Sequence, residues 1–72
     1  MMNITMKPLR YFYCPYIPTN DDIVEAMKVV KNNDCYVQIN YTGPGGYSYS
    51  VGVCPGDTHQ DVLNRIPTVF GL

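Results

Sequence analysis

Two stretches of this chain alternate apolar and polar residues with the period of a half-buried strand. In the first, Cys35, Val37, Ile39 and Tyr41 alternate with Tyr36, Gln38, Asn40 and Thr42. In the second, Tyr47, Tyr49, Val51 and Val53 alternate with Ser48, Ser50 and Gly52. Gly43, Pro44, Gly45 and Gly46 join the two runs, which predicts an antiparallel hairpin. Upstream, the period changes. Ile23, Ala26, Met27 and Val30 fall on one face at helical spacing, with Val24 and Val29 beside them. Thr19 and Asp22 have the spacing of a capping box, and Asp21, Asp22 and Glu25 set negative charge at the positive end of the helix dipole. Lys28 and Lys31 complement the other end, and Asn32 and Asn33 supply a left-handed stop.

The flanks complete the layout. Leu9, Arg10, Tyr11, Phe12, Tyr13 and Cys14 form an aromatic-rich run closed by Pro15, which predicts a first strand, and Tyr16 and Ile17 lie in a stiff connection between Pro15 and Pro18. Thr58 and Asp61 repeat the capping-box spacing ahead of a short helix carrying Val62, Leu63 and Ile66, which Pro67 stops. The order is β-α-β-β-α, an α+β domain in which helices cover one face of a small three-stranded sheet of unspecified strand order. Residues 1–72 form a single domain, and residues 1–8 read as a mobile arm, because they have neither a period nor a cap.

The alternation also predicts what the uncovered face displays: Tyr36, Gln38, Asn40, Ser48, Ser50 and one side of the first strand. In that strand Arg10 and Phe12 share one side, and Tyr11 and Tyr13 the other, so one pair is expected to pack under the helices. A polar face of low charge dotted with tyrosine suits a contact surface, since a Tyr ring offers much area for little lost entropy. It also suits a plain solvated sheet face. The candidate partner-binding residues are Arg10, Tyr11, Phe12, Tyr13 and Tyr36.

Composition narrows the function classes. With 46% hydrophobic and 15% charged residues the chain is too apolar for disorder, and it should fold around one thin core. The formal net charge is -1, and the cations Lys7, Arg10, Lys28, Lys31 and Arg65 are scattered, so autonomous nucleic-acid binding is not expected. No signal peptide or membrane-spanning stretch is visible, and three cysteines without a close pair fit a reducing cytoplasm.

The candidate chemistry is sparse. Cys14, Cys35, Cys54 and His59 have the composition of a zinc site, but structural zinc sites bring ligands in close pairs, and Cys35 shares the parity of Val37 and Ile39 as a buried thiol would. Cys54, His59 and Asp57 or Asp61 could be drawn as nucleophile, base and orienting group, yet nearness in sequence does not supply the geometry. The Cys14-Pro15 and Cys54-Pro55 dipeptides have a pattern linked with haem sensing, but each sits where a strand should end, which proline explains unaided. The glycines between the strands precede no helix, and Asp57 would repel an anion at the one turn that does lead into a helix. No cofactor, metal or catalytic set is therefore expected, and the domain reads as a non-enzymatic binding protein.

At Pro8, Leu9, Arg10, Tyr11, Phe12, Tyr13, Cys14 and Pro15, followed by a capped acidic helix in so short a chain, the sequence resembles the small RNA-polymerase-binding transcription regulators of lytic Xanthomonas phages. The resemblance is one of length and layout. It implies a protein of the host cytoplasm that binds RNA polymerase near the RNA exit channel, through the β′ amino-terminal region and the β flap. It further implies inhibition of initiation by interference with σ-factor retention, antitermination, and NusA as a further partner. The alternatives are a phage inhibitor of a host defence complex and a small zinc or thiol protein.

Overall fold

The computed structural model describes residues 7–66. The elements run β1 (Leu9–Cys14), α1 (Asn20–Asn33), β2 (Tyr36–Thr42), β3 (Ser48–Val53) and α2 (His59–Arg65), with a short 3-10 turn at Pro44–Gly46. This is the β-α-β-β-α order expected from the sequence. The three strands form one mixed sheet in the order β1-β2-β3. The hairpin partners are antiparallel, whereas β1 lies parallel to β2 and reaches it across α1. Of the expected arm, Lys7 and Pro8 are held to the domain. The Pro8 carbonyl accepts the Tyr36 N–H at 2.9 Å, and the Lys7 ammonium pairs with Asp34 at 2.7 Å. Residues 1–6 of that arm lie outside the described residues, as does Pro67.

Both helices start where their caps predict. Thr19 Oγ1 accepts the Asp22 N–H at 3.2 Å while Asp22 Oδ2 accepts the Thr19 N–H at 2.9 Å, and Thr58 and Asp61 repeat the exchange at 3.1 and 3.0 Å. The stop of α1 comes later than Asn32 and Asn33 suggest. The Asn33 side-chain amide donates back to the Val29 carbonyl at 3.0 Å and stays helical, and the left-handed residue is Asp34, at φ 48°. Asp is among the few non-glycine residues that adopt this conformation readily.

The core is a single layer between helices and sheet: Ile23, Ala26 and Val30 of α1, Val62 and Ile66 at α2, and Cys35, Val37, Ile39, Tyr41, Val51 and Val53 from the sheet side. Cross-strand register sets these in rows. Phe12, Ile39 and Val51 form one row, and Cys14, Tyr41 and Tyr49 another, with the Tyr41 and Tyr49 rings stacked at 5.7 Å. Tyr47, expected in the second hairpin strand, instead closes the turn. Gly45 and Gly46 take φ of 77° and 79°, which only glycine adopts freely, and the Gly43 N–H then reaches the Tyr47 carbonyl at 2.9 Å, leaving the Tyr47 ring exposed.

Candidate interaction face

The covered face of the sheet leaves the other face bare. Register brings Leu9 beside Tyr36, Tyr11 beside Gln38, and Tyr13 beside Asn40; across β2 stand Gly52, Ser50 and Ser48. The relief is uneven. Leu9, Tyr11 and Tyr13 stand up from β1 at 46%, 53% and 77% exposure and Tyr36 at 39%, whereas β3 offers only two serines and a glycine. The middle strand is polar and internally tied, with Gln38 Nε2 donating to Asn40 Oδ1 at 2.9 Å. The face is thus an aromatic ridge beside a low hydroxyl shelf.

The structure separates the candidate residues into two groups. Tyr11, Tyr13 and Tyr36 share the open face. Arg10 and Phe12 lie on the helix side, but not as a buried pair: Phe12 is half-buried against the core, while Arg10 is exposed. The reason is positional, since β1 is an edge strand and Arg10 is its second residue, exposed among the described residues. Sequence reasoning missed Leu9, although its parity with Tyr11 and Tyr13 places it on the same ridge.

The cysteine and histidine candidates do not form a site. Among the described residues no three His, Cys, Asp or Glu side chains converge as metal ligands, and Cys14, Cys35 and Cys54 are all free thiols. Cys35 is fully buried and directs its thiol to the Val29 carbonyl at 3.7 Å, as a small core residue would. Burial, then the charge and hydrogen bond of Asp22, push the Cys14 thiol up, which disfavours the thiolate. Cys54 and His59 both line a cleft of ≈ 630 Å³ between α1 and the β3–α2 loop, but among the described residues no hydrogen bond joins them, and His59 Nε2 is buried without a partner. The two carboxylates that could orient His59 are already engaged. Asp61 caps α2, and Asp57 is held in a fork by the Arg65 guanidinium, whose NH2 lies 2.9 Å from Oδ1.

The Arg65 fork, aided by the Cys54 N–H at 2.7 Å, holds the Asp57 carboxyl below its usual value. Because the folded value is the depressed one, the pair stabilises the fold above the unfolded carboxyl value of about 3.9, and its contribution vanishes as pH falls through the folded value. Urea unfolding of the native chain and of Asp57→Asn is therefore expected to differ at neutral pH and to converge in strong acid. A difference that persists there would assign the effect to packing instead.

Among the described residues no helix lies over the ridge, and none is long and apolar enough to cross a membrane. No family model, no curated protein and no solved structure matches the chain.

Proposed function

We propose that this chain is a non-enzymatic regulator that acts by binding another protein through its open sheet face. The observation that carries this reading is the ridge of Leu9 with the tyrosines Tyr11, Tyr13 and Tyr36, exposed among the described residues on an otherwise small and polar face. Tyrosine is enriched at contact hot spots, and burying rings that already stand clear of the core needs no rearrangement of the fold. The scattered cations and net charge of -1 favour a protein over nucleic acid as the partner.

The partner follows from the resemblance of the β1 segment and its capped helix to phage transcription regulators. It is host RNA polymerase, engaged near the RNA exit channel through the β′ amino-terminal region and the β flap, with NusA as a further contact, in the host cytoplasm. On this reading the protein inhibits promoter initiation and promotes antitermination without touching DNA itself. Purified protein is expected to bind bacterial core polymerase in a pull-down and to leave a promoter fragment unshifted in a gel at physiological salt. Failure to capture core polymerase would reject the partner, and a shift of naked DNA would reject the mode.

A further inference from the structure

The backbone of β1 carries information that its side chains do not. In a strand, the N–H and C=O of one residue point to the same side and those of the next residue point to the other. The Pro8 carbonyl accepts from Tyr36, so Pro8, Arg10, Phe12 and Cys14 direct their backbone groups toward β2. The backbone groups of Leu9, Tyr11 and Tyr13 consequently face outward along an edge that no described strand occupies. Their side chains are also the part of the ridge that β1 supplies. The opposite edge differs: the Arg65 guanidinium donates to the Gly52 carbonyl at 3.1 Å, so α2 partly covers β3.

Natural sheets protect such an edge with an internal proline, a bulge or inward-pointing charge. Between Pro8 and Pro15, β1 has neither an internal proline nor a bulge; its one charge, Arg10, lies on the helix side but is exposed and has no ion-pair partner among the described residues, so an incoming strand can answer it instead of being repelled. From this we infer that the partner binds by adding an extended strand to the outer edge of β1. That strand sets apolar side chains against Leu9, Tyr11 and Tyr13 and an acidic one beside Arg10. A second copy of this chain fits less well. In two-fold antiparallel pairing about Tyr11, Arg10 would meet Phe12, and about Phe12 it would meet Cys14; β1 contains no carboxylate to answer it. The inference deepens the protein-binding reading above and rests on it for the identity of the partner, but not for the chemistry of the edge.

Proline substitution tests it. At Tyr11 the N–H faces outward, so Tyr11→Pro removes no bond to β2, and proline is tolerated at such edge positions. Tyr11→Ala removes the ring alone. Tyr13→Pro and Tyr13→Ala repeat the comparison should Tyr11→Pro not fold. The probes are bacterial core polymerase and, independently, a short blocked peptide alternating valine and threonine with aspartate at its centre, together with its lysine twin, titrated into isotope-labelled protein. Strand addition predicts that each proline variant binds both probes at least tenfold more weakly than its alanine counterpart. It also predicts peptide-induced shifts centred on the Leu9, Tyr11 and Tyr13 amides, and a preference for the aspartate peptide that Arg10→Glu reverses. Polymerase binding weakened equally by alanine and proline would overturn strand addition while leaving the binding face in place. Peptide capture at the edge without polymerase binding would uphold strand addition and reject the polymerase. No effect of any variant on polymerase and no peptide binding would overturn both. A free-protein dimer that sediments as such and is dissolved by Tyr11→Pro would replace the foreign strand with a second copy.

Discussion

Ile39→Ala is expected to lower the unfolding free energy by about 3–4 kcal/mol, within the range for large-to-small changes in a core that cannot collapse. Ile39 is the place where that holds most strongly in this fold. It is fully buried at the middle of the central strand, flanked in register by Phe12 and Val51 and facing the helix layer. Strands on both sides hold its backbone, so neighbouring side chains cannot close the space that alanine leaves. The domain is small, and at roughly 0.05–0.15 kcal/mol per residue its whole stability is of the same order as the loss, so the variant is expected to be partly unfolded at body temperature. Ile39→Val removes one methylene and should cost about 1 kcal/mol. Urea unfolding of both variants measures the two steps; equal effects would mean that the core is loose enough to repack.

Local features of this fold were legible in the sequence, and features that depend on distant segments were not. The two capping boxes and the alternation from Cys35 to Thr42 are decided by residues within a few positions of one another, and the structure has them at those positions. The parallel pairing of β1 with β2 depends instead on how α1 carries the chain back across the sheet, which no periodicity records. The same holds at finer scale. Asn33 reads as a helix stop by type, but its side chain finds the Val29 carbonyl, and the left-handed position passes to Asp34. Tyr47 has the parity of a strand residue, but the glycine conformations before it end the ladder one residue sooner.

The candidate face shows the same division. Parity alone placed Tyr36 and Gln38 opposite Val37 and Ile39, and it separated Tyr11 and Tyr13 from Arg10 and Phe12. It could not say which side of β1 the helices cover, nor that the covered side would leave Arg10 in the open. Those outcomes follow from β1 being an edge strand. An edge position halves the neighbours available to each side chain, so alternation that produces full burial in β2 produces only half-burial of Phe12 in β1. The edge thus supplies the exposed ridge and the free backbone groups together.

That coupling makes the paired substitutions on β1 informative. Tyr11→Ala with Tyr13→Ala is expected to weaken partner binding by about 2 kcal/mol or more, roughly thirtyfold, while leaving the unfolding curve nearly unchanged. Both rings already stand in solvent, at 53% and 77% exposure, so removing them leaves no cavity. Phe12→Ala, one position away on the other side, should do the opposite. It strips a half-buried ring from the row with Ile39 and Val51 and should cost about 2 kcal/mol of stability, below the 3–5 kcal/mol of a fully buried aromatic. Below its unfolding midpoint it should bind normally. Binding isotherms against core polymerase set beside urea unfolding for the two variants decide the matter. If the double tyrosine variant binds as the native chain does, the ridge is solvated surface, and the contact passes to the hairpin turn or to the exposed side of α1.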